Sequence, residues 1–217
     1  MARSFYITDE YIDPLSKAFH LSENLRKLDL SRTHLSKENS RKMVLHLPET
    51  LESVNFSHNS EFGAENVKLI CSEILDDPRY QLESLILEEC DIGDEGLIHL
   101  GIALEQNRKL KFLDVSKNGI THKGCIPFCE SLKENSFLQI LFLHWNPRIK
   151  YKGGKAIAEM LQKNDGIQML DISFCDIGFA KDGGPTYYEV VRERWRIENL
   201  PKMPNKNQES NIPLTAE

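Results

Sequence analysis

A chain of 217 residues with 40% hydrophobic side chains can bury one substantial core, and nothing in its bulk demands two. Its net charge of −6 argues against a general nucleic-acid binder, which would carry a basic stripe. No apolar run approaches the roughly 20 residues of a membrane span, and the opening MARSFYITDEYIDPL lacks the basic-then-apolar layout of a secretory signal.

In chain order, the first segment carries Ile12, Leu15 and Phe19 at helical spacing after Ile7. This reads as the helical half of a repeat, covering the exposed edge of the first strand. Pro14 is placed in the first turn, where a missing N–H costs little, and Pro127 shares its offset. A spacing LxxLxLxx(N/C/T) then occurs six times. It starts at Leu25, Leu51, Leu82, Leu110, Leu138 and Ile167, and its polar ninth residue is Thr33, Asn59, Cys90, Asn118, Asn146 and Cys175. Positions one, four and six point inward from a short strand, and the ninth turns the chain by satisfying backbone groups. Between strands run amphipathic helices, marked by Met43-Val44-Leu47, Val67-Ile70-Cys71-Ile74, Leu97-Leu100-Gly101-Leu104, Cys125-Phe128-Cys129-Leu132 and Gly154-Ile157-Ala158-Leu161. The third slot of that stripe holds nothing large (Val44, Cys71, Gly101, Cys129, Ala158), which predicts close approach of helix to strand. After Ile177 the register breaks. Residues 179–200, with Tyr188, Val191 and Trp195, read as a capping helix, with a docking helix as the minority reading. Residues 201–217 read as a polar tail, disordered unless bound.

The segment from Leu82, LESLILEECDIGDEGLIHLGIALEQN, resembles the ribonuclease-inhibitor type of leucine-rich repeat, and the resemblance extends over residues 7 to 178. It implies an α/β solenoid, curved, with parallel strands on the concave face and helices on the convex one: six repeats, an N-terminal half-repeat and a cap. It implies no activity by itself. Members of the class include the ribonuclease inhibitor, tropomodulin-like actin cappers and the Ran GTPase-activating protein. A regulator of an enzyme or GTPase is therefore the alternative to a plain interaction module, and a bacterial effector mimicking the eukaryotic repeat is a further one. Use of such proteins in cilia and cytoskeletal complexes implies a cytoskeletal or ciliary setting within the cytoplasm.

Residues with catalytic potential do not converge. There is no GxGxxG after a strand, no Walker loop and no GxSxG elbow, so no enzyme, cofactor or metal is expected. The five cysteines, an odd number without CxxC spacing, suit reduced thiols. Cys125 and Cys129 stand at i, i+4 but on the core stripe, where small hydrophobes belong. The seven histidines form no HxxxH or HxH, and Glu88-Glu89-Cys90-Asp91 reads as a solvated strand end.

What remains is the concave face, displayed by positions three, five, seven and eight of each unit. The first two units are polar: Lys27, Asp29, Ser31, Arg32 and Ser53, Asn55, Ser57, His58. The later ones show Ile86, Glu88, Glu89; Phe112, Asp114, Ser116, Lys117; Ile140, Phe142, His144, Trp145; and Met169, Phe174. Strands about 4.8 Å apart should bring Trp145 to Phe174 in one column and align Phe112, Ile140 and Met169 in another. A patch of this size predicts a covering. The favoured one is a protein partner, in a larger assembly, anchored by Phe142 and Trp145 within a surround of Glu88, Glu89, Lys117 and His144. The competitor is the chain's own C-terminal segment, through Tyr187, Tyr188 or Trp195.

Overall fold

The structure is a computed structural model and describes residues 7–178. Helices and three-residue strands alternate: α1 (Asp9–His20), β1 (Lys27–Asp29), α2 (Lys37–Leu45), β2 (Ser53–Asn55), α3 (Gly63–Ile70), β3 (Ser84–Ile86), α4 (Gly93–Gln106), β4 (Phe112–Asp114), α5 (His122–Leu132), β5 (Ile140–Phe142), α6 (Lys150–Lys163) and β6 (Met169–Asp171). The six strands form one parallel sheet in sequential order, with Leu28, Val54, Leu85, Leu113, Leu141 and Leu170 in register. Each unit buries its apolar face against its neighbours, and the result is the α/β solenoid that the spacing predicts. The segments 179–200 and 201–217 lie outside the described residues.

The ninth-position residues stitch the stack together. Asn118 shows how: its Nδ2 donates to Leu87 O and Ser116 O, and its Oδ1 accepts from Cys90 N and Ile92 N of the preceding unit. Asn59 and Asn146 do the same one unit back. Cys90 and Cys175 each donate a thiol to a carbonyl of the preceding unit at 3.1 Å. The backbone groups left over by each turn are thus satisfied by the next repeat.

The opening half-repeat packs as the spacing predicts. Ile12 is fully buried, Ile7, Leu15 and Phe19 pack on the core, and Ile7 N reaches Thr33 O. Two expectations are corrected. Pro14 and Pro127 occupy the sixth residue of α1 and α5, in the second turn, because both helices start a turn earlier than the apolar pattern does. At Gly101 the small slot of the helical stripe faces the neighbouring helix rather than the strand: a Cβ there would stand 3.2 Å from Phe128 Cα in α5. The second repeat carries extra residues, and α3 absorbs part of them in a π-helical turn, Cys71–Leu75.

Candidate functional site

The open face of the sheet is built by a backbone ladder that continues past the strands. In every unit the eighth residue takes left-handed backbone: Arg32, His58, Glu89, Lys117, Trp145 and Phe174 have φ between 55 and 61°. From the first to the fifth unit, its N–H donates to the seventh-position carbonyl of the next strand, as Trp145 N does to Ser173 O at 2.9 Å. Those six side chains form one column along the open rim. Its first part is charged: Arg32 Nη2 lies 3.0 Å from His58 Nε2, and His58 Nδ1 lies 2.9 Å from Glu89 Oε2. Its last part is aromatic, with Trp145 and Phe174 stacked at 4.3 Å and 16°, exposed to 50% and 63%.

The second column is in the register expected, Phe112 to Ile140 to Met169, with Met169 52% exposed. A diagonal contact extends this column to the fifth position: Phe112 and Phe142 meet edge to face at 5.3 Å, and the Phe142 ring lies 6.2 Å from that of His144. Ile86, Phe112, Ile140 and Phe142 are half-buried. The apolar side chains on this end therefore form two groups rather than isolated residues: Trp145 with Phe174, and Phe142 with the Phe112–Ile140–Met169 column.

The polar surround is a network. Lys117 Nζ pairs with Glu88 Oε1 at 2.7 Å, and His58 and His144 approach the same carboxylate at 3.7 and 4.0 Å. Burial works against the charge of Glu88, but the Lys117 ammonium and the two histidines outweigh it and hold the carboxyl below its usual range. The hydrogen bond to Glu88 pushes Lys117 upward in turn. His144 Nδ1 lies 2.8 Å from Ser116 Oγ and 3.4 Å from Asp171 Oδ2. Three residues expected on the open face are buried instead. Ser57 donates its N–H to Asn55, Asp114 turns its carboxylate to Ser116 N, and Ser116 is held beneath His144.

Spacing alone missed two features. Arg32 and Asp171 enter the network only through contacts across strands, for which the sequence carries no local signal. Arg148, Lys150 and Lys152, exposed in the turn after Trp145 and the start of α6, were legible, because no Asp or Glu occurs between Glu134 and Glu159.

Ser116, His144 and Asp171 do meet on this surface, but Ser116 is fully buried and both partners approach the same imidazole nitrogen, Nδ1, so the ring is not placed to relay a proton from hydroxyl to carboxylate. All five cysteines are free and buried. Burial pushes the thiols of Cys71 and Cys90 up to about 12 and that of Cys175 to about 11, and contact with Cys125 together with burial pushes Cys129 up. Among the described residues no group of three His, Cys, Asp or Glu side chains is disposed to hold a metal, and no helix is long and apolar enough to cross a membrane.

A solenoid of strand–turn–helix units with Asn, Cys or Thr at each turn defines a leucine-rich-repeat protein. A family model described as Leucine Rich repeat matches residues 82–101 and 106–129. The ribonuclease inhibitor of Sus scrofa is 30% identical over 131 residues, 60% of this chain and 28% of that protein. Human NACHT, LRR and PYD domains-containing protein 13 is 30% identical over 186 residues, covering 83% of this chain and 17% of its own length. The chain thus spans less than a third of either relative. Among solved structures, that of leiomodin-1 actin-binding site 2 superposes with a TM-score of 0.56 at 20% identity, covering 74% of this chain and 83% of that one. The chain belongs to the ribonuclease-inhibitor type of leucine-rich-repeat proteins, a family of interaction modules.

Proposed function

We propose that the chain is a non-catalytic interaction module that grips a protein partner with the C-terminal half of its open face, as a subunit of a larger cytoplasmic assembly. Phe142 and Trp145 are the anchors, with Ile86, Phe112, Ile140, Met169 and Phe174 around them and Glu88, Glu89, Lys117 and His144 as the polar border. The observation that carries this reading is the stacked, half-exposed pair Trp145–Phe174 on left-handed backbone. Left-handed backbone costs an L-residue roughly 1–2 kcal/mol, least for Asn or Asp, so large aromatics there contribute nothing the turn requires. Two rings left in water at such positions fit an interface core, where Trp and Phe are enriched. Five buried free thiols favour a reducing compartment and so support the cytoplasmic setting.

The test is Trp145→Ala in the full chain, with partner capture from native extract read alongside thermal unfolding. Capture should fall at least tenfold. Folding should weaken by no more than about 0.5–1.5 kcal/mol, the worth of the lost stack. Undiminished capture with a large loss of stability would show that the pair serves the fold instead.

A further inference from the structure

We propose that the occupant of this surface is an acidic protein segment bearing apolar side chains, drawn in by a basic rim beside the Trp145–Phe174 pair; the proposal rests on the aromatic face being the grip surface. The chain as a whole is acidic, yet Arg148, Lys150, Lys152 and Lys155 stand in a stretch that contains no acid, all four exposed. The backbone puts that stretch against the aromatic pair. Lys150 N donates to Cys175 O, the residue after Phe174, at 3.1 Å, and Arg148 O accepts from His122 N at the start of α5. The turn therefore lies between the rings and two helix N-termini.

Those two helices differ from the rest. α1 to α4 each begin with at least one acidic residue, which offsets the positive end of the helix dipole. α5 and α6 have none of their own in the first turn, and α6 starts Lys150-Tyr151-Lys152, although Asp94 of α4 bonds Thr121 N and Oγ1 at the N-terminus of α5 and offsets the dipole there. At α6 the cations add to the dipole rather than offset it, which favours an anionic partner on that side.

Pairing decides which charges reach a partner. No carboxylate among the described residues pairs with Arg148, Lys150 or Lys152, and Lys155 meets Glu159 only at 3.8 Å. The carboxylates of the open face are engaged: Glu88 by Lys117, Asp171 by Ser173 N and His144. Asp176, in the following turn, offsets part of the charge and leaves an excess of cations. Other occupants match less well. Residues 179–217 balance acids and bases and concentrate arginines at 192, 194 and 196. A second copy could offer Glu61, Glu65, Asp91 and Glu95 from its own second and third turns, and this is the competitor that the test must separate.

The experiment pans a random-peptide display library against the full chain at low salt. Enriched peptides should combine Asp or Glu with Phe, Trp, Leu or Ile. R148E/K150E/K152E should shift enrichment toward Lys and Arg, and a synthetic acidic winner should bind that variant about tenfold more weakly, with a matching loss on added salt. Neutral or basic winners that are lost on W145A/F174A would overturn the charge assignment and leave the aromatic face standing. Acidic winners that bind W145A/F174A undiminished would overturn the aromatic-face reading instead, and no enrichment at all would overturn both. Self-association in sedimentation velocity that R148E/K150E/K152E abolishes would give the surface to a second copy and overturn the proposal.

Discussion

Phe142 occupies a position where four of the six repeats keep an Asp or Asn for a structural reason. Asp29, Asn55, Asp114 and Asp171 each accept a hydrogen bond from the N–H two residues on. Ile86 and Phe142 offer no such acceptor to Glu88 and His144. Each such bond contributes about 0.5–1.5 kcal/mol net, so repeats three and five give up local stability to place an apolar side chain on the open face. Phe142→Asn restores the acceptor without putting a third carboxylate between Asp114 and Asp171. It loses the edge-to-face contact with Phe112, itself worth about 0.5–1.5 kcal/mol. Those two effects nearly cancel and leave the apolar area that Phe142 buries, so chemical denaturation should place the variant about 1–2 kcal/mol below the parent while partner capture falls at least tenfold. A variant that unfolds far more readily and still captures partner would mark Phe142 as a packing residue.

Helices and turns show where periodicity informs and where it stops. Strand register was legible to the residue, because six repeats of one spacing leave a single alignment, and the Trp145–Phe174 and Phe112–Ile140–Met169 columns follow from it. The Phe112–Phe142 diagonal was not, since it depends on which way each ring leans between columns. The small slot at Gly101 was legible as a close approach, but a stripe on one helix does not say what it approaches. A second ladder is written in the spacing of three asparagines, outside the strand repeat itself. Asn107, Asn135 and Asn164, each three residues before the first apolar position of a unit, accept from the N–H groups two and three residues on. Their Nδ2 atoms donate to the preceding unit. This turn is tight enough to forbid a side chain at Gly166, where a Cβ would stand 2.5 Å from the carbonyl carbon of Ser136. Both partners there are backbone, so neither can rotate away. Gly166→Ala should therefore cost about 1–3 kcal/mol, read as a lower unfolding midpoint, although Ala commonly stabilises loops whose backbone it can adopt. An unchanged midpoint would mean that the turns part more easily than the contact suggests.

Across the described residues the two asparagine ladders overlap only from the fourth repeat onward. Ser22, Pro48 and Arg79 stand where Asn107, Asn135 and Asn164 do later. In their place Tyr80 donates to Leu47 O, Lys109 donates to Pro78 O and Tyr80 O, and an exposed Arg79 pairs with Asp77 and Glu49. Exposed ion pairs contribute little, and a cleft of about 520 Å³ opens here between His20, Leu47, Thr50 and Arg79. A solenoid's stability is roughly a sum of unit and neighbour contributions, so the half stitched on both edges should open last. That half also carries the aromatic surface, and a surface fixed before binding loses less entropy on association. Amide hydrogen exchange should show α1, β1 and α2 exchanging well ahead of β4, α5 and β5. Asn135→Ala removes a buried side chain that bonds Leu104 O, Phe137 N and Leu138 N, and it should speed exchange in α5 and β5 while leaving α1 and α2 near their original rates. Uniform protection, or a loss spread evenly along the chain, would mean that the six repeats open as one unit and that the grip surface gains nothing from its place among them.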